Sequence, residues 1–270
     1  MGATFHAQGS NQLPDIGTAG VAALPIEQEV RYGNAFMRFA RAGLPIIDDP
    51  VLNEYIDDLG QRLLTNADGV RFPFTFFLIN DPSINAAAFL GGRVKVHTGL
   101  FLYAESESEL ASVLAHEITH VTQRHIARYM EAQASSSAMT LAGLVGSIAL
   151  AVINPTAGIA ALQTTLGLSM QSAINYTRDN EYEADRIGMK TLYDAGFDPM
   201  GMANFFQKLA AEYRYASKPP EMLLTHPLPE TRISEARARA GSYGARALPP
   251  SLDFWLAKVR IQVRYGTESP

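Results

Sequence analysis

Residues 116–120, His116-Glu117-Ile118-Thr119-His120, decide how this chain is read. They lie in a run in which Leu110, Val113, Leu114, Ile118 and Val121 recur at helical spacing, and Ser106 and Glu109 are spaced as a capping box at its start. In a helix, about 100° of rotation per residue sets His116 and His120 about 40° apart, one turn above each other. Two imidazoles so placed grip a single ion. Glu117, about 100° round from His116, flanks the ion without ligating it and can take a proton from water. That is the geometry of a zinc peptidase. By the same count His125 lies about 180° from His116, so it is expected to face away as an ordinary surface or packing residue.

A catalytic zinc wants a third protein ligand and an open position for water. The chain has no Cys, which excludes disulfides, a thiolate site and a Cys nucleophile, so further ligands must be His or carboxylate. In Asn180-Glu181-Tyr182-Glu183-Ala184-Asp185, Glu181 and Asp185 share a helix face. One can bind the metal while the other hydrogen-bonds a ligand imidazole, with Glu181 the candidate ligand. Glu183 points elsewhere and reads as part of a solvated acidic face. His226 precedes Pro227, which keeps it extended on a loop able to reach over the site. There it stabilises a tetrahedral oxyanion, fills the open metal position at rest, or is a capping or buried loop histidine, the residues alone favouring none of these. Arg232 either holds substrate or oxyanion charge or is a plain helix-surface arginine, the second being favoured.

The rest of the chain frames this motif. Its 270 residues are 47% hydrophobic, enough for one sizeable domain with a core. Lys and Arg number 22 against 27 Asp and Glu, a net charge of −5 with no basic block, which argues against nucleic acid as a partner. Charged residues are only 18% because residues 132–177 contain none. Within that stretch 138–153 is nearly all small or apolar, yet shorter than the roughly 20 residues that span a bilayer, and Asn154-Pro155 interrupts it. A helical hairpin serving as a lid near the cleft is expected, with membrane contact peripheral at most. Helices are expected over 27–42, 50–64, from 106 onward, 180–195, from Pro199, 229–240 and 251–264. Strands are expected at 72–79 and 93–97, paired in a small antiparallel sheet. The fold class is α+β and mostly helical. Residues 1–24 read as a surface arm, and Met1–Ala7 carries neither a basic region nor an apolar run, so no signal peptide is expected there.

Three segments, Ala115-His116-Glu117-Ile118-Thr119-His120-Val121-Thr122-Gln123-Arg124-His125, Asn180-Glu181-Tyr182-Glu183-Ala184-Asp185-Arg186-Ile187-Gly188 and Thr225-His226-Pro227-Leu228-Pro229-Glu230-Thr231-Arg232, resemble the HtpX and CAAX-prenyl-protease-related metallopeptidases. The resemblance runs from about Leu13 to Tyr265. It implies a gluzincin, zincin-like fold with one zinc on His116, His120 and Glu181, Glu117 as general base and Asp185 behind a ligand. It also makes His226 a catalytic candidate with Arg232 beside it. By the same resemblance Arg93-Val94-Lys95-Val96-His97 is an edge strand that pairs with an extended peptide substrate. The branch of the family most similar to this chain is periplasmic, its signal removed. It degrades misassembled or stalled outer-membrane proteins beside the barrel-assembly machinery. The expected organisation is an arm over 1–24, a peptidase domain over 25–245 and a C-terminal helix over 246–270. A tetratricopeptide domain follows the peptidase in that branch, so the helix is expected either to open such repeats or to belong to a member that lacks them. The rival reading is a chaperone or assembly factor whose zinc site His226 keeps closed.

Overall fold

Helix α1 (Ile26–Gly43) and helix α2 (Pro50–Leu64) open the chain. The computed structural model describes residues 24–266 apart from 133–137, 155, 159, 162–169, 215–219 and 245. The arm expected over 1–24 therefore lies outside the described residues, Leu24 excepted. Pro50 takes the first helical position of α2, and Asp49 caps it by accepting from the backbone nitrogens of Val51 and Leu52 at 3.2 and 3.4 Å.

Strands β1 (Thr75–Ile79), β2 (Ala86–Phe89) and β3 (Arg93–His97) form one sheet in the order β1-β3-β2. β2 and β3 make an antiparallel hairpin turned at Gly91 and Gly92, whose φ of 70° and 72° only glycine adopts without strain. β1 runs parallel to β3, with Thr75 opposite Arg93. The sheet is thus mixed rather than antiparallel. Arg93–His97 is its central strand, not an edge, so its backbone groups are taken on both sides and strand addition to it is excluded. The edge on the hairpin side is β2, a run of three alanines and Phe89 with little strand propensity of its own.

Both sheet faces are buried. Phe76, Leu78, Val94 and Val96 enter the main core, while Phe77, Ile79 and Phe89 enter a second cluster with Phe36, Met37, Tyr129 and Met130. A strand buried on both faces reads as a continuous apolar run, as Phe76-Phe77-Leu78-Ile79 does.

After α3 (Thr98–Tyr103) comes α4 (Glu107–Thr122), buried along nearly its whole length. Ser106 Oγ caps it by accepting from Glu109 N at 3.2 Å, and the Glu109 carboxylate accepts from Glu105 N at 2.9 Å instead of closing the box on Ser106. Arg124 then takes the left-handed conformation at φ 55°, so α5 (His125–Ala132) sets off in a new direction. α6 (Ala138–Ile153) follows, its Val145, Ile148, Val152 and Ile153 packed on the second cluster. Lys95 Nζ donates to the Val152 carbonyl near its C-terminus. The second limb of the expected hairpin falls largely outside the described residues. Among the described residues no helix is long and apolar enough to cross a membrane.

α7 (Met170–Asp194) starts well before the expected Asn180 and packs along α4. The two backbones touch at Gly188, where a Cβ would sit 3.1 Å from the Ala115 carbonyl. α8 (Met200–Tyr213), α9 (Glu221–Thr225), α10 (Glu230–Tyr243) and α11 (Leu252–Tyr265) complete the order. α11 buries Phe254, Ala257 and Ile261 in the main core, and its Arg260 and Arg264 each reach Asp49 at 2.9 Å.

Candidate metal centre

The close α4–α7 crossing brings Glu181 against the two motif histidines. His116 Nε2 and His120 Nε2 are 3.0 Å apart, and the Glu181 oxygens lie 3.3 Å from each. His226, the residue that ends α9, adds its Nδ1 at 3.1 Å from both Glu181 oxygens and 3.4 Å from His116 Nε2. One donor atom from each of the four residues lies within 4.8 Å of the others. Donors bonded at 2.0–2.1 Å to a tetrahedral zinc stand about 3.3 Å apart along the edges. Five of the six pairs, counting either Glu181 oxygen, stand 3.0–3.4 Å apart and fit that figure, and His120 and His226 lie within the 4.8 Å that encloses the set.

The electrostatics ask for a cation at the same point. Burial pushes His120 down to about 4 and keeps its ring neutral. At His116 burial acts the same way, but the Glu181 and Asp185 carboxylates outweigh it and push the imidazole up to about 10. Burial alone would raise Glu181, yet His226 and His116 hold its carboxyl well below the usual range. An ionised carboxylate and three imidazoles turned toward one point bind positive charge there, a proton if nothing else. A divalent ion fits the donor set.

Behind His116, Asp185 Oδ1 sits 3.0 Å from Nδ1 and favours a proton there, so Nε2 is the nitrogen that would give up its proton to a metal. Arg232 donates to both Asp185 oxygens at 2.7 and 2.8 Å, to the Pro227 carbonyl at 2.7 Å, and lies 2.9 Å from Glu181 Oε2. It is 2% exposed. Arg232 is therefore neither a surface arginine nor placed to meet substrate: its donors tie Asp185, Glu181 and the His226 loop together. Sequence spacing could not reveal this, because only the fold brings α10 beside α7.

His125 departs from expectation as well. The turn at Arg124 swings it back behind His120, with the two Nδ1 atoms 2.8 Å apart, and its Nε2 is 3.2 Å from Glu183 Oε2. Glu183 in turn accepts from Arg128 at 2.8 Å, so it is not a free solvated acid. Gln123-Arg124 contains no Gly or Pro, and so no local signal marked the break.

Glu117 is fully buried, its Oε2 accepting from Ala88 N on β2 at 2.8 Å. Among the described residues its Oε1 has no hydrogen-bond partner, and it lies 3.4 Å from His226 Nε2. Burial raises its pKa, and the His226 and His116 charges offset this only in part. The five residues of β3 do not join the cluster. Val94 and Val96 are core, Arg93 binds Asn34 and Thr75, Lys95 binds Val152, and His97 Nδ1 meets Ser83 Oγ at 2.9 Å.

Comparison with known proteins agrees with this geometry. Beta-barrel assembly-enhancing proteases are similar to the chain: one from Yersinia pestis is 53% identical over 95% of this chain and 53% of its own length. Another, from Escherichia coli K12, is 49% identical over 98% of this chain and 54% of its own length. A Vibrio cholerae protein that carries the same name provisionally is 60% identical over 94% of this chain and 53% of its own. The chain thus spans about half the length of the curated relatives it matches. Residues 50–240 match peptidase family M48. Because that match covers most of the chain and encloses every residue of the donor cluster, the chain belongs to peptidase family M48, a family of metal-dependent peptidases.

Proposed function

We propose that the chain is a zinc-dependent endopeptidase that degrades misassembled or stalled outer-membrane proteins in the periplasm. His116, His120 and Glu181 are its zinc ligands, Glu117 its general base and Asp185 the carboxylate that orients His116. The observation that carries this reading is the convergence of donors from three separate segments within 4.8 Å of one another, with a Glu117 oxygen beside them that has no hydrogen-bond partner among the described residues. Bound zinc would supply a Lewis acid that polarises a peptide carbonyl and lowers the pKa of water, so that water which has given up a proton becomes the nucleophile. Glu117 is held to the sheet by one oxygen, which leaves the other free to take that proton. Its raised pKa brings it nearer the working pH, where a general base is most effective.

Ala88 N points outward from the β2 edge to Glu117. A peptide lying along that edge by strand addition therefore runs past the base. A part in β-barrel assembly is suggested by the names of the relatives, while the outer-membrane substrates, the periplasmic setting and the barrel-assembly machinery as partner follow from the family resemblance of the three motif segments. α6 packs on β2 and is proposed to act as a lid over that edge. Replacing 140–165 with a flexible linker should raise cleavage of an unfolded substrate, and an unchanged rate excludes gating.

One observation favours a closed resting state: His226 Nδ1 occupies the fourth corner of the donor set. Four protein donors leave no place for water, so His226 must move aside for cleavage. A site that never opens belongs to an assembly factor. Zinc content and casein cleavage of Glu117→Gln test the proposal. The variant should keep zinc and lose cleavage, and cleavage at the unmutated rate would refute the base.

A further inference from the structure

We propose that His125 is a positioning residue for metal capture: it fixes His120 in the one tautomer that offers the Nε2 lone pair to the ion. The inference rests on the zinc reading above and goes beyond its ligands and base.

The geometry is a chain of hydrogen bonds leading away from the metal point. His120 Nδ1 meets His125 Nδ1 at 2.8 Å, His125 Nε2 meets Glu183 Oε2 at 3.2 Å, and Arg128 Nη1 meets the same oxygen at 2.8 Å. An ionised carboxylate only accepts, so the neighbouring His125 nitrogen, Nε2, carries a proton. A neutral His125 ring then has an acceptor at Nδ1. Two acceptors cannot bond each other, so His120 must carry its own proton on Nδ1. Its Nε2, the atom facing Glu181 and His116, is left with a free lone pair. In the other tautomer Nε2 carries a hydrogen and cannot ligate.

The chain also has the rigidity that such a role needs. His125 is 3% exposed, and its ring stands nearly perpendicular to that of His120, at 82°. It reaches this place only because Arg124 turns the backbone at φ 55°, and Arg124 is buried with its Nε on Glu29 at 2.7 Å. Asp185, held by Arg232, does the corresponding work for His116 directly. At His120 an additional imidazole stands between the ligand ring and its carboxylate.

Two measurements on the purified chain test the role: zinc affinity by competition with a chelating dye, and the tautomer of His120 by ¹⁵N NMR of the metal-free protein. His125→Phe keeps the ring but removes the acceptor. Zinc binding should weaken by about 10–100-fold, with His120 shifting from the Nδ1–H form to a mixture. Glu183→Gln, which leaves the buried ring in place, should do the same more weakly and serves if the Phe variant fails to fold. Unmutated zinc affinity in a folded variant, or a His120 tautomer that does not change, overturns the positioning role alone. Failure of the unmutated chain to bind zinc overturns the metal reading and this inference with it.

Discussion

Glu117 Oε2 accepts a hydrogen bond from Ala88 N at 2.8 Å, so the candidate base is fastened to the outer strand of the sheet instead of to another side chain. This single contact aligns three things: the helix that bears the histidines, the outer strand β2, and the oxygen left to accept a proton. Moving the edge moves the base.

The closed corner gives the first prediction. His226→Ala removes the fourth donor while His116, His120 and Glu181 remain. Turnover of an unfolded substrate should rise, with zinc retained. If turnover falls by 10²-fold or more, His226 acts in the reaction itself, as an oxyanion-stabilising group does.

Arg232 gives the second. It holds Asp185 and Glu181, and removing it leaves two buried carboxylates with only His116 and His226 as counter-charge. Arg232→Met should cost about 3–5 kcal/mol in the metal-free chain, as for other broken buried pairs. Urea unfolding measures it, and added zinc should restore part of the loss by binding the folded form. A cost below about 1 kcal/mol would mean that the pair is not structural.

The crossing at Gly188 gives the third. Any larger side chain there meets the Ala115 backbone and forces α7 from α4. Gly188→Val should destabilise by about 1–3 kcal/mol from overpacking, and weaken zinc binding because Glu181 and Asp185 ride on α7. Destabilisation with unchanged zinc affinity would show that the crossing does not set ligand spacing.

Lys95 gives the fourth, a pH dependence. Burial pushes its pKa down to about 8, against about 10.4 for a free lysine. The folded chain therefore loses this proton before the unfolded chain does. Below pH 8 both forms are protonated and the burial cost is fully present. As pH rises from 8 toward 10.4 the unfolded form holds more protons, and stability rises. Relative to Lys95→Met, the unmutated chain should gain up to about 3 kcal/mol across that window, measured by urea unfolding of both proteins. A difference that stays flat would contradict the burial effect.

Which features the sequence made legible follows from range. The helix of residues 107–122 announces itself through periodicity and a Ser106 cap, and Pro50 marks its own helix, because such signals act within a few residues. Two of the three strands were legible at 72–79 and 93–97, but the strand Ala86–Phe89 and the order of the sheet were not. Ala86-Ala87-Ala88 has no strand propensity, and the parallel pairing of Thr75–Ile79 with Arg93–His97 depends on contacts across the chain, so the central strand looked like an edge. His125 was misplaced because 100° per residue holds only while the helix continues. It ends at Thr122, and Arg124, whose conformation is stabilised by Glu29 some 95 residues away, then turns the chain. Arg232 was misread for the same reason, its partners lying on another helix.

Zinc content per chain, by elemental analysis of the unmutated protein, Glu117→Gln and Glu181→Ala purified side by side, tests the centre most directly. One zinc in the first two and almost none in the third is the expected result. No zinc in the unmutated chain, or a full complement in Glu181→Ala, would contradict it.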